Sequence, residues 1–203
     1  METKERIMMK ALMLFSDRGY DGVSMRDIAA EVGIKAASIY NHFSGKEDIF
    51  SCLLSEMAIR YEQMRDNMRV PDGDMDHIAE AFADISVENL VMIARGIFLY
   101  FLNDEFAAPF RRMVTIEQYR NSIAGETYQK MFLQDAIDYE ATIFASFVKE
   151  KHFVECDPYV AALHFYSPIL LLLSKYDRKP EKQEEALQIL DQHVKQFTEL
   201  YVY

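Results

Sequence analysis

Apolar residues recur along this chain at helical spacing. Ile7, Ala11, Leu14 and Phe15 fall at i, i+4, i+7 and i+8, which predicts a first helix over about 4–18, ended by Gly19. Ser24 reads as the N-cap of a second, two-turn helix, with Asp27 closing a short capping box. Met25, Ile28, Ala29 and Val32 form its stripe, and Gly33 stops it in a tight turn. A third short helix is predicted over about 35–43, with Ala36, Ile39 and Phe43 inward and Ala37, Ser38 and Asn41 outward. Ser44-Gly45 breaks it. A long helix then begins at Lys46, keeps Ile49, Leu53, Met57 and Tyr61 inside, and runs to about Met68.

After a Pro-Gly break at 69–74, the same periodicity predicts helices over about 76–87, 90–103, 106–121 and 126–151. Asp157-Pro158 is a cap followed by proline in the first turn, and opens a helix to about Ser174 with Pro168 expected to kink it. Pro180 opens the last helix. There Leu187, Leu190, Val194, Phe197 and Tyr201 step by 3, 4, 3, 4, the seam spacing of one helix packing on another at a shallow angle. Part of that stripe is expected to face a second copy of the chain.

Composition narrows the class. Half of the 203 residues are apolar and 27% are charged, ordinary for a chain that buries a core. Gly (7) and Pro (5) are too few for a turn-rich sandwich or barrel. Cys52 and Cys156 lie too far apart in sequence for a disulfide framework or a zinc knuckle, and read as small core residues in a reducing compartment. The charged start Met1–Arg6 does not read as a signal peptide. The apolar run 90–102 carries Arg95 and falls short of a span, so a cytoplasmic protein without membrane partners is expected.

Charge is unevenly spread. The formal net charge is −11, yet residues 1–50 carry seven Lys/Arg and eight Asp/Glu, so almost all of the excess lies behind them. A polyanion must therefore meet the first 50 residues. Two short helices joined by a glycine turn and braced on both sides form a helix-turn-helix, which offers its second helix to the DNA major groove. The outward face of that helix is small or hydrogen-bonding.

The run from Ser24 to Ile49 resembles the DNA-binding domain of the TetR (tetracycline repressor) family. The resemblance is carried by Ser24, Ile28-Ala29, Val32-Gly33-Ile34, Ile39-Tyr40-x-x-Phe43 and Lys46-Glu47-x-Ile49. Upstream, Ala11-x-x-Leu14-Phe15-x-x-x-Gly19-Tyr20-x-Gly22 is similar to that family's first helix and turn. The similarity spans about residues 5–52, and Ala36-Ala37 departs from the Gly or Thr common there. It implies that Lys46, Tyr40 and His42 contact phosphates, and that Arg26, Lys35, Ala37, Ser38 and Asn41 lie close to bases, with Ser24 and Ala36 beside them. It also implies a homodimer on double-stranded operator DNA, and a C-terminal bundle that holds a small-molecule effector.

No phosphate loop, nucleophile elbow or zinc-protease motif occurs, so no enzyme, cofactor or metal is expected. His164 and His193 fall on the last two helices and could meet in space, though scattered histidines more often serve the core. The aromatic middle reads first as core. Beside that, Phe98, Phe101, Met113, Phe132 and Phe165 are candidates for an aromatic-walled pocket. The whole reading is an all-α fold of about nine helices: a three-helix helix-turn-helix domain over 1–48 and a larger C-terminal helical bundle over 49–203. Its function is that of a ligand-responsive repressor released from its operator by an effector. A helical protein–protein adaptor and a helical enzyme are the other two classes.

Overall fold

Capping and glycine punctuation set the front of the chain. The computed structural model describes residues 2–67 and 86–203. Helix α1, Thr3–Arg18, ends where Gly19 takes φ +74 and donates its N–H to the Phe15 carbonyl. Helix α2, Met25–Val32, ends at Gly33 with φ +78, the left-handed region that glycine enters without strain. Helix α3, Ala36–Ile39, is followed by α4, Lys46–Asn67. The predicted break at 69–74 and most of the helix over 76–87 lie outside the described residues.

Beyond them run α5, Val87–Asn103, α6, Ala107–Glu117, α7, Ser122–Gln129, α8, Asp135–Lys149, α9, Pro158–Lys175, and α10, Gln183–Tyr201. The expected single helix over 126–151 is instead α7 and α8 joined by a π-helical turn, Lys130–Gln134. Counting that run as one helix gives nine among the described residues. Pro180 opens only a 3₁₀ turn, Pro180–Lys182, and the last helix starts after it. Asp157 caps α9 as its sequence suggested, accepting the N–H groups of Tyr159 and Val160. Among the described residues the fold is all-α, with one isolated bridge between Phe153 and Val202.

The chain divides into two compact units, Met1–Met64 with Asn103–Gln129, and Arg65–Leu102 with Lys130–Tyr203. In the first, α1 packs on α2 and on α6 over Ile7, Ala11, Phe15, Ile28, Ile39, Ile49 and Leu53, all buried. In the second, α8 packs on α9 and α9 on α10 around Phe144, Phe147, Phe153 and Phe197. Arg95 clamps Asp191 there with two 2.6 Å hydrogen bonds, the paired geometry a guanidinium favours.

Most of the stripe expected to face a second copy is buried within the subunit. Leu187, Leu190, Val194 and Phe197 are buried in the unit's own core, Leu190 and Val194 completely, and Tyr201 stacks on Phe197 at 4.6 Å. A 3–4 stripe tells that a helix packs, not against which chain. These side chains already have their partners within the subunit.

Candidate functional site

The helix-turn-helix is fixed by local hydrogen bonds that the sequence announces. Ser24 Oγ accepts the Asp27 N–H, and the Ser24 N–H donates to Asp27 Oδ2 at 2.8 Å. The Ser24 hydroxyl and amide, donating to the Asp27 carboxylate, hold its pKa below the usual value. At the other end of α2, Arg6 reaches from α1 to the Val32 carbonyl at 2.9 Å. The Gly33 and Ile34 N–H groups both return to the Ala29 carbonyl, which closes the turn.

Helix α3 is shorter than its apolar pattern suggests. It stops at Ile39, and the chain tightens into turns in which the Asn41 N–H donates to Ser38 and the His42 N–H to Ile39. Such three-residue spacing is the tighter winding that ends many helices. Ile39 and Phe43 remain buried beneath it. Ser24, Arg26, Lys35, Ala37, Tyr40, Asn41 and His42 are exposed, whereas Ala36, Ser38 and Lys46 are half-buried. Lys35 to His42 thus form one open segment of hydrogen-bonding and small side chains over a two-residue apolar anchor.

Lys46 has a second occupation. Its ammonium donates to the Tyr20 carbonyl at 2.6 Å and the Val23 carbonyl at 2.9 Å, and lies 4.1 Å from the Tyr20 ring centroid. Two of its three N–H bonds hold the loop between α1 and α2. Sequence reasoning missed Glu117, which reaches from α6 to accept the Tyr20 N–H at 2.8 Å. A lone acidic residue 97 positions away carries no local signal of that role.

The pocket candidates separate. Met113 belongs to the first unit, and Phe98, Phe101 and Phe132 are buried in the second, Phe101 and Phe132 with ring centroids 5.1 Å apart. Of the five, Phe165 lines a cavity of about 220 Å³ whose walls come from the second unit. Its other walls include Ile97, Tyr139, Ile143, Phe144 and Phe197, with Glu140 among them. Tyr166, also on the wall, donates its hydroxyl to the Phe132 carbonyl at 2.8 Å, inside the π-helical turn. A π turn displaces carbonyls from their usual partners, and this one is met by a cavity residue. His164 and His193 do not meet on a ligand: His164 pairs with the Tyr201 hydroxyl and His193 with the Phe165 carbonyl.

Comparison with known proteins agrees with this geometry. The profile of bacterial regulatory proteins of the tetR family matches residues 7–52. The biofilm operon negative transcriptional regulator IcaR of Staphylococcus epidermidis is 47% identical over 47 residues, 23% of this chain. The match spans a quarter of the length of that relative. Among solved structures, SmeT, the repressor of a Stenotrophomonas maltophilia multidrug efflux pump, has a TM-score of 0.64 at 18% identity over 100% of this chain and 92% of its own. The fatty acid degradation regulator FadR of Bacillus halodurans has a TM-score of 0.64 at 16% identity over 96% and 95%. Capped α2, the Gly33 turn and the open α3 segment define a helix-turn-helix regulatory domain. That domain, residues 7–52, matches the tetR family of bacterial regulatory proteins.

Proposed function

We propose that the protein is a sequence-specific DNA-binding transcriptional regulator, a homodimeric repressor released from its operator by a small molecule. The observation that carries this reading is the helix-turn-helix over residues 7–52, matched by family and capped at Ser24 and Gly33. Residues 1–48 read DNA, and residues 49–203 bind the effector and dimerise. Lys46, Tyr40 and His42 approach phosphates. Arg26, Lys35, Ala37, Ser38 and Asn41 approach base edges, flanked by Ser24 and Ala36. One nearly neutral head gives mainly non-specific affinity, so two heads act together on one operator.

The second copy is proposed to cover the apolar side chains that α9 and α10 leave in water. Val160 and Leu171, eleven residues or about three turns apart on α9, are 46% and 66% exposed, and Leu200 on α10 is 71% exposed. The effector is proposed to enter the second unit's cavity. SmeT, of the same fold, has been solved as a complex with triclosan. Helix α4 contributes to both units, Lys46–Met64 to the first and the rest to the second, and is the element through which ligand and DNA would be coupled. Coupling of this kind amounts to roughly 1–3 kcal/mol and is reciprocal.

The test is selection of duplexes from a random pool by the full-length chain, followed by fluorescence anisotropy on the winner. A two-fold-symmetric operator bound by two chains at least a thousandfold tighter than scrambled DNA supports the reading. Equal affinity for both duplexes overturns it.

A further inference from the structure

Among the described residues, Glu140 is the one carboxylate that lines the second unit's cavity. It sits on α8 between Tyr139 and the wall residues Ile143 and Phe144. The residue keeps some accessible surface, whereas its Oε2 exposes less than 1 Å² and meets no hydrogen-bond partner among the described residues. An unpaired carboxylate in apolar surroundings is costly, and folds commonly provide a partner. Here burial alone pushes the carboxyl well above its usual 4.5, with no charged neighbour entering the balance. Among the described residues, the other titratable groups around the cavity are engaged elsewhere. His152 faces Glu150 Oε2 at 3.5 Å, Arg65 lies 5.2 Å from the Tyr139 ring centroid, and Tyr166 is engaged with Phe132.

Much of the rest of the wall is aromatic, with Tyr139, Phe144, Phe147, Phe165, Tyr166 and Phe197, and aliphatic side chains such as Ile97 and Ile143 lie between them. Ring faces carry partial negative charge. They attract a cation and disfavour an anion or the oxygen of a neutral acceptor. A dry engineered cavity of about 150 Å³ holds benzene. At about 220 Å³, this one has room for a ring with a short alkyl arm.

We propose that the cavity takes a small lipophilic amine, whose ammonium pairs with Glu140 while its apolar body lies against the rings of Phe144, Phe165 and Phe197. The inference rests on the reading of this cavity as the effector site, and names the class of effector. The exchange balances simply. An ammonium arriving from water meets the neutral carboxyl, the carboxyl loses its proton to solvent, and the ammonium–carboxylate pair remains. The pair gains strength from the low-dielectric surroundings that made the lone carboxylate unfavourable.

The experiment is calorimetric titration of the full-length chain at pH 7 with three probes of one shape: 4-phenylbutylamine, 4-phenylbutan-1-ol and 4-phenylbutyrate. Repeating it in buffers of different ionisation enthalpy counts protons. The amine is expected to bind at least tenfold tighter than either analogue and to release up to one proton. Glu140→Gln, nearly isosteric, should lower amine affinity at least tenfold and leave the alcohol within threefold. Ile143→Trp, which fills the cavity, should abolish binding of all three, and its circular dichroism and melting check that it folds. An alcohol as tight as the amine, or indifference to Glu140→Gln, overturns the amine and leaves the cavity as an effector site. A preference for 4-phenylbutyrate overturns it in favour of an anion beside His152. Binding of none, or binding that survives Ile143→Trp, overturns both the amine and the cavity as its site; the operator selection above is decided separately.

Discussion

The peptide unit of Tyr20 is held by two residues that lie far from it in sequence. Its N–H donates to Glu117 Oε1 at 2.8 Å, and its carbonyl accepts from Lys46 Nζ at 2.6 Å. The buried Glu117 carboxylate crowds position 19, since a Cβ on Gly19 would stand 2.8 Å from its Oε1 and force it to shift. The turn into α2 is thus anchored to α6 as well as to α4.

Glu117→Ala removes the acceptor and leaves a partly buried N–H unpaired. The expected cost is about 1–3 kcal/mol in urea denaturation, with weakened binding to every duplex. Gly19→Ala combines a strained positive φ with the close carboxylate, and should cost at least about 1 kcal/mol. Because both changes act on one contact, the double variant should cost less than their sum. Full additivity would show the two sites to be independent.

Lys46→Ala tests a side chain with two duties. Losing its bonds to the Tyr20 and Val23 carbonyls should lower stability by about 1–3 kcal/mol. Losing a phosphate contact should weaken all duplexes alike and reduce the salt slope of binding by about one. An unchanged salt slope would leave Lys46 with the first duty alone. Asn41→Ala, at an exposed position, should relax preference at one base pair by about 1–3 kcal/mol, read as competition between point-substituted operators.

Burial separates folding from assembly. Leu190→Glu places a charge at a fully buried site and should unfold the second unit, seen as loss of cooperative melting. Leu171→Glu and Leu200→Glu change side chains that are 66% and 71% exposed, and should leave melting of the subunit nearly unchanged. Sedimentation should then show monomers and anisotropy a loss of operator binding. A dimer that survives both changes would place the interface elsewhere.

Glu140 sets a pH dependence of defined sign. Its folded pKa is raised above the ordinary 4.5, so the folded state holds its proton to higher pH than the unfolded chain does. The stability it contributes is fully present below about pH 4.5 and declines as pH rises through the raised folded value. The decline is at most about 1.4 kcal/mol per pH unit. Glu140→Gln should flatten that part of the stability–pH profile and lose nothing at pH 7. An unchanged profile would mean that the carboxyl titrates normally.

What the sequence determined by itself is everything carried by short-range rules. The Ser24 cap, the Gly33 turn, the buried Ile39 and Phe43 with Asn41 outside, and the Asp157 cap all follow from residues within a few positions of one another. Backbone conformation and hydrogen bonding at that range depend little on the rest of the chain. Pattern also gave the helical class and the amphipathic last helix. Tertiary structure decided which faces meet. The stripe from Leu187 to Phe197 carries the same period whether its partner is another helix of this subunit or a second copy, and only packing shows Leu190 and Val194 fully buried within the subunit and Phe197 set against Phe144, Phe153 and Phe165. Aromatic side chains that read alike in sequence, Phe98, Phe132 and Phe165, part into filled core and cavity wall because an unfilled volume is left over from how several helices fit together. Glu117 and Glu140 look like ordinary acidic residues on amphipathic helices. One becomes an anchor for Tyr20 and the other an unpaired acid among rings, because a carboxylate's role is set by what surrounds it, and those surroundings are assembled from distant parts of the chain.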